Sequence, residues 1–190
     1  MTLIFYDWEF DAETNPEVIE PISLGAVTDD GQEFYAINRD FHWDSCKSEW
    51  LKENVQSQLI LPDIAYLELS KDNFKRYLMG WLASSFESLP AGERLKLVGY
   101  YADYDHVCLS QRFGTMMQLP PSMPMWTRDL KQWCDDLGNP ELPEQGKGEH
   151  HALLDARWVR DSYNWLTKNY DHPAWTPRLR KPRLKPSDCF

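Results

Sequence analysis

Residues 3–10 read Leu-Ile-Phe-Tyr-Asp-Trp-Glu-Phe, an apolar stretch that carries two carboxylates two positions apart. Side chains alternate across a β-strand, so Asp7 and Glu9 project from one face and the flanking apolar residues from the other. Carboxylates held this close repel each other, and bound divalent cations relieve the repulsion. The stretch therefore predicts a strand that bears a candidate metal site, unless Glu9 lies at the solvated end of the strand and the pair is ordinary surface.

The size of the chain and its distribution of charge bound the class of protein. A length of 190 residues suits one well-buried domain, which we expect at 1–170, followed by a basic, proline-rich tail at 171–190 that is extended or disordered. The net charge is −10; the tail holds five Lys/Arg and two Asp/Glu, which gives +3 and leaves −13 for the rest. The acidity of residues 1–170 argues against tight, sequence-independent binding of long duplexes. It does not argue against an enzyme whose positive charge comes from bound metal.

Cysteine usage and hydropathy indicate the compartment. The four cysteines are widely scattered and form no Cys-x-x-Cys pair, so neither a zinc knuckle nor a disulfide framework is expected. The chain enters a strand at once, without a basic, apolar leader, and no segment approaches 18 uninterrupted apolar residues. We expect a cytoplasmic protein with no membrane association.

The periodicity of apolar residues predicts an α/β protein. Three strands joined by turn signals open the chain, and strands then alternate with helices, which indicates a mixed sheet flanked by helices. The predicted strands are 3–10, 22–27, 33–37, 95–100 and 125–127, and the predicted helices are 48–60, 71–87, 104–113, 128–137 and 151–169.

A third candidate carboxylate, Asp105, follows the fourth predicted strand. It shares an inward-facing helical stripe with Cys108 and Leu109, just past the carboxyl end of a strand, where α/β folds place ligand groups. The alternative is that Asp103 caps this helix and that Asp105 is an ordinary acid of the first turn, favoured there by the helix dipole.

The last helix carries the sharpest signal. Asp155 falls among apolar residues at helical spacing, and burying an unpaired carboxylate is costly, so a bound metal is an attractive partner. His150 lies five residues earlier and does not share its helical face, which predicts a position in the glycine-containing loop, over a reacting centre. A histidine that titrates near neutral pH suits proton abstraction from water. For the neighbouring His151 we expect an exposed loop position.

Taken together, three segments resemble the motifs of the DEDDh group of 3′ to 5′ exonucleases: Asp-Trp-Glu at 7–9, Tyr-Ala-Asp-Tyr-Asp at 101–105, and His-His-Ala-Leu-Leu-Asp at 150–155. The likeness over residues 3–166 is closer to the bacterial RNase AS family, exoribonucleases that favour adenylate-containing RNA. It includes Ile-Ser-Leu-Gly-Ala-Val at 22–27 and Thr-Arg-Asp-Leu at 127–130.

The resemblance implies an RNase H-like fold with a mixed five-stranded sheet, and a homodimer. It also implies hydrolysis of a single-stranded or 3′-overhanging RNA end to nucleoside 5′-monophosphates with two divalent cations, Mg²⁺ or Mn²⁺. Asp7 would bridge both ions, Glu9 and Asp155 would complete the first and Asp105 would hold the second, with His150 as the general base.

Aromatic residues near these motifs are candidates for base stacking: Trp8, Phe10, Tyr101, Tyr104 and Trp126. Trp8 alternates to the face opposite Asp7, so burial against a helix is an open alternative. Three other functions also stay open on sequence: a DNA-directed or general exonuclease, a nucleic-acid-binding module that keeps the fold without chemistry, and an acidic structural protein.

Overall fold

A computed structural model describes residues 2–170. Its strands are β1 (Leu3–Asp11), β2 (Glu20–Thr28), β3 (Glu33–Asn38), β4 (Leu67–Leu69), β5 (Lys96–Gly99) and β6 (Arg128–Asp129). Its α-helices are α1 (Glu49–Asn54), α2 (Lys71–Glu87), α3 (Asp103–Phe113), α4 (Leu130–Asp136) and α5 (Ala152–Asn169), joined by short 3₁₀ turns. The predicted basic tail lies outside the described residues.

The strands form one mixed sheet in the order β4-β3-β2-β1-β5-β6. The first three strands run antiparallel to one another, while β4 is parallel to β3, β5 to β1, and β6 to β5. The mixed α/β architecture flanked by helices is therefore confirmed, although the sheet has six strands rather than the expected five. The missed strand, β4, has only three residues, two of them exposed, and leaves no clear alternation in the sequence.

Two predicted elements are displaced. The last strand is Arg128–Asp129, not 125–127, because Arg128 is the residue that pairs with Val98 of β5. The helix predicted at 48–60 ends at Asn54 and continues only as a 3₁₀ turn at Gln56–Gln58. Helix α2 matches its prediction at both ends.

The two faces of the sheet have separate cores, and β1 contributes to both. Ile4, Tyr6 and Trp8 pack beneath α2 and α3, whereas Phe5 packs with residues of α4 and α5 on the opposite face. Alternation along β1 therefore divides its apolar side chains as expected. Asp7 and Glu9 lie on the α5 face, and the first turn of α5 faces them.

Gly25 of β2 lets α5 approach the sheet closely. A Cβ atom at this position would overlap the backbone of Ala152, the first residue of α5. Helix α5 lies across β1 and β2, and its N-terminal residues Ala152, Leu153 and Ala156 are buried against the sheet. The absence of a side chain at Gly25 therefore sets the depth at which the start of α5 sits.

Within residues 2–170, no helix combines the length and the hydrophobicity that a membrane crossing requires. Among the described residues, Cys46, Cys108 and Cys134 are buried and form no disulfide. The cytoplasmic location stays a prediction from the sequence.

Candidate active site

Three carboxylates from two elements converge on the α5 face of the sheet. Asp7 and Glu9 come from β1 and Asp155 from the first turn of α5, and one oxygen of each lies within 4.8 Å of one oxygen of each of the others. Glu9 is buried, while Asp7 and Asp155 are half-buried. The strand alternation and the helical stripe that the sequence revealed thus bring these three side chains together.

Asp105 lies beside this cluster, attached to the strand that bears it. The carboxylate is only 5% exposed, and its Oδ1 accepts a hydrogen bond of 2.6 Å from the backbone N–H of Trp8. The helix begins after Ala102, so Asp103 is an exposed residue of the first turn and not its cap. The burial of Asp105 contradicts the alternative in which it is an ordinary solvated acid.

Burial and mutual repulsion raise the pKa values of the four carboxyl groups. Burial, followed by repulsion from Asp155, raises the pKa of Glu9 to about 8. Burial is also the first cause that raises the pKa values of Asp105 and Asp155 to about 7, and it raises that of Asp7 well above its ordinary value. Repulsion from Asp105 and Glu9 adds to the effect at Asp7. At neutral pH and without a cation the cluster therefore carries less negative charge than four ordinary carboxylates would.

The donor set fits a hard divalent cation. All four side chains offer oxygen, and none of the ion pairs seen among residues 2–170 supplies a basic side chain to them. Oxygen-only ligands favour Mg²⁺, Mn²⁺ or Ca²⁺ over zinc. Asp7, Glu9 and Asp155 are placed to share one ion, and Asp105 lies beside them, hydrogen-bonded to the Trp8 N–H.

His150 lies at a turn before α5, as predicted. Its backbone is left-handed, with φ +69°, and its ring meets that of Trp50 edge to face at 4.7 Å. Together with Asp7 and Asp155, His150 lines an open cavity of about 510 Å³. His150 therefore borders the same space as the carboxylate cluster.

The prediction for His151 was wrong. This side chain is 1% exposed and stacks on the ring of Tyr35 at 4.4 Å, and neither ring nitrogen has a hydrogen-bond partner among the described residues. Burial lowers the pKa of His151 to about 4. The two neighbouring histidines thus differ, because His150 lines the cavity and His151 is buried against Tyr35.

Trp8 is excluded as a base-stacking platform. Its ring is 2% exposed and packs on Phe74 at 5.3 Å, which is the burial against a helix that the strand alternation had left open. Tyr101 is 65% exposed and lines the cavity, which leaves its ring available to a ligand. Tyr104 and Trp126 are also exposed, and Phe10 is half-buried with its ring against that of Tyr104.

The sequence analysis missed residues of the loop before α5. The amide of Gln145 donates a hydrogen bond to Oδ1 of Asp155, and Glu149 also lines the cavity. Trp158 of α5 donates from Nε1 to the carbonyl of Pro143 at 2.8 Å, which ties the loop to the helix. The spacing of Trp158 three residues after Asp155 was the available signal, since it places both on one helical face.

Asp129 does not line the cavity but helps to position Asp105. The sequence analysis gave it no role. One carboxylate oxygen caps α4 by accepting from the backbone N–H of Lys131. The other accepts from the backbone N–H of Ala102 at 2.8 Å. Asp129 therefore fixes the turn between β5 and α3, which sets the position of Asp105.

Comparison with solved structures first places the fold. The fold resembles S. pombe Pop2p in its Mg²⁺- and Mn²⁺-bound form, with a TM-score of 0.61 and 13% identity over 88% of this chain and 83% of that one. It also resembles E. coli ExoI in a zinc-bound complex with single-stranded DNA, with a TM-score of 0.54 and 15% identity over 88% of this chain and 41% of that one. The architecture is thus one that exonucleases use.

Sequence comparison then gives the family. The family described as the 3′-5′ exoribonuclease Rv2179c-like domain matches residues 2–166. The 3′-5′ exoribonuclease Rv2179c of Mycobacterium tuberculosis strain H37Rv is 35% identical over 167 residues, covering 88% of this chain and 94% of that protein. A counterpart from strain CDC 1551, 3′-5′ exoribonuclease MT2234.1, matches to the same extent. The chain belongs to the Rv2179c-like family, and it is a nuclease.

Proposed function

We propose that this protein is a metal-dependent exoribonuclease that removes nucleoside 5′-monophosphates from the 3′ end of single-stranded or 3′-overhanging RNA. The observation that carries the proposal is the convergence of Asp7, Glu9 and Asp155 beside His150 in one open cavity. The 35% identity with the mycobacterial exoribonuclease supports RNA as the substrate.

In this proposal the carboxylates hold two divalent cations, Mg²⁺ or Mn²⁺. Asp7, Glu9 and Asp155 would hold the first ion, and Asp7 and Asp105 would hold the second. When bound, the ions supply charge that activates water and stabilises the oxygen that leaves the phosphorus. The Trp8 N–H keeps the Asp105 carboxylate in one orientation, and the Gln145 amide does the same for Asp155.

His150 acts as the general base and takes the proton of the attacking water on a ring nitrogen. Its position on a turn rather than on α5 lets the imidazole reach over the cavity while Asp155 remains anchored in the helix. A general base at this position, together with the four carboxylates, is the reason for placing the protein in the DEDDh subgroup.

Exposed rings around the cavity hold the terminal bases. Tyr101 lines the carboxylate cavity, and Tyr104 and Phe10, which adjoin Asp105 and Glu9 in the sequence, form a second pair of contacting rings. Stacking contributes about 1 to 3 kcal/mol per base and requires unpaired nucleotides. A single-stranded 3′ end therefore suits this surface, with the adenylate preference and the homodimer implied by the resemblance to RNase AS.

A 5′-labelled oligo(A) RNA and a matched DNA test the proposal directly. With Mg²⁺, the wild type should produce a ladder that shortens from the 3′ end, faster on RNA than on DNA and absent with EDTA. Asp155→Asn should be inactive, and the matched control Asp161→Asn, an exposed acid of the same helix, should be fully active. Equal cleavage of DNA would replace the proposal with a general exonuclease, and no cleavage with Mg²⁺ or Mn²⁺ would contradict it. The same samples analysed by light scattering test the homodimer.

A further inference from the structure

A second cavity, of about 370 Å³, lies where β2, β3, α2 and the end of α3 meet. It is separate from the carboxylate cavity, and its wall includes Arg112, Gln111 and Lys71. Arg112 is only 7% exposed, and its Nε and Nη1 atoms are fully buried without a hydrogen-bond partner among the described residues. A buried guanidinium with unused donors points to an anion that completes it, because an unpaired buried charge is costly.

The surroundings of Arg112 favour binding from the cavity. The guanidinium lies 6.0 Å from the ring of Phe74, and burial lowers the pKa of Arg112 below its ordinary value. Glu20 and Asp40 also line the cavity, yet neither forms an ion pair with Arg112 in the described part of the chain. The Asp40 carboxylate instead accepts the backbone N–H of Lys71 at the start of α2. Lys71 is exposed at the rim and adds a second positive charge.

The position of this cavity relates it to the carboxylate site. Asp105 and Arg112 are seven residues apart on α3, which is two turns, so both lie on one helical face about 10.5 Å apart along the axis. Phe10 follows Glu9 on β1 and pairs with Pro21, which lines the second cavity, and its ring contacts that of Tyr104. Phe10 and Tyr104 thus join, ring against ring, the strand that carries Asp7 and Glu9 to the helix that carries Asp105 and Arg112.

We propose that Arg112, with Lys71 at the rim, binds a backbone phosphate of the RNA strand on the 5′ side of the nucleotide being removed. The proposal rests on the proposed function for the direction of the strand. A guanidinium presents paired N–H donors that match two phosphate oxygens, and Lys71 adds a point charge. Bases between this phosphate and the 3′ end would lie over Phe10 and Tyr104. The enzyme would therefore bind an RNA strand more tightly when the strand is long enough to reach the second cavity.

The test compares oligo(A) RNA of two and eight nucleotides in fluorescence anisotropy, with Mg²⁺ present and His150→Ala as the background that slows turnover. Arg112→Met keeps much of the buried volume and removes the charge. We expect it to weaken binding of the eight-nucleotide RNA about tenfold or more and to leave the two-nucleotide RNA unchanged. The slope of log affinity against log salt should fall by about 0.7 for each phosphate that the variant no longer neutralises.

Two further variants keep the test decisive. Lys71→Ala removes an exposed side chain, so it reports on the cavity even if Arg112→Met fails to fold, and it should also lower the salt slope for the longer RNA. Arg94→Met is the matched control, because Arg94 is exposed at the opposite end of the sheet and should not affect binding.

The proposal would be overturned if the Arg112 and Lys71 variants bound the eight-nucleotide RNA with the same affinity and salt slope as the His150→Ala background. It would also be overturned if these variants lost affinity equally for both RNA lengths. If Arg112→Met weakens binding of the longer RNA only, but the wild type degrades no RNA, this inference holds and the proposed function is rejected. Degradation that is independent of Arg112 and Lys71 would do the reverse.

Discussion

The backbone N–H of Trp8 donates to the carboxylate of Asp105 across 2.6 Å in a buried setting. This bond joins α3 to the strand at the peptide between Asp7 and Glu9, so it links the separate segments that carry the acidic residues. The indole ring of the same residue packs on Phe74 in the core beneath α2 and α3. Trp8 thus supports the site through its backbone and the core through its side chain.

Replacing Trp8 with Phe should separate these two contributions. The backbone bond to Asp105 remains, while the smaller ring leaves part of the core unfilled, which should lower the free energy of unfolding by about 1 to 3 kcal/mol. Urea denaturation and steady-state kinetics below the unfolding transition would measure both. A large rise in KM for RNA with unchanged stability would instead indicate that the ring contacts substrate.

Substitution of a carboxylate should impair both metal binding and turnover, whereas substitution of His150 should impair turnover alone. Asp7→Asn and Asp155→Asn should abolish measurable turnover and weaken Mn²⁺ binding in calorimetry, because each loses a charged ligand. His150→Ala should reduce kcat about 10²- to 10⁴-fold, the range for a general base, with Mn²⁺ binding close to wild type. Full activity of the Asp7 variant would refute the assignment of this cluster.

Metal ions should stabilise the protein more strongly as pH rises. The pKa values of Glu9, Asp105 and Asp155 are raised to between about 7 and 8, so the metal-free folded protein binds more protons than the unfolded chain and loses stability as pH rises towards 8. Bound cations replace those protons. Thermal unfolding with Mg²⁺ and with EDTA should show a larger gain in Tm at pH 8 than at pH 6. The same gain at both values would contradict this account.

Gly25→Ala should damage the site although Gly25 carries no chemistry. The added methyl group would overlap the backbone of Ala152 and force α5, with Asp155, away from the sheet. We expect a loss of stability of about 1 to 3 kcal/mol and a marked fall in kcat. Gly80→Ala is the control, because its Cβ in α2 meets nothing within 4 Å and alanine favours the helix. Comparable effects of the two substitutions would argue against steric control by Gly25.

His151 should make the folded protein sensitive to mild acid. Its pKa is lowered from the ordinary value near 6.5 to about 4 by burial, so protons bind the unfolded chain first and stability falls as pH drops through that window. His151→Phe should remove this contribution, which is at most about 3 kcal/mol. Urea denaturation of both proteins at several pH values between 4 and 7 measures it, and a constant difference would show that His151 does not titrate.

Features with short-range signals were predictable. Alternation along β1 placed Asp7 and Glu9 together, and an acid within an apolar helical stripe revealed Asp155. The length of β4 and its pairing with β3 were not predictable, since three partly exposed residues carry no periodicity and their partner lies about 30 residues away. The different positions of His150 and His151 depend on a left-handed backbone at a residue that rarely adopts it, which composition does not encode.

The acidic cluster unites residues 148 positions apart, because Asp7 lies in the first strand and Asp155 in the last helix of the described fold. The carboxylate of Asp155 joins those of Asp7 and Glu9 only when helix α5 has packed on β1 and β2. Domains form as the chain leaves the ribosome, N-terminal segments first. A partly synthesised copy of this nuclease therefore has no complete carboxylate cluster while it is still attached to the ribosome that translates its messenger RNA.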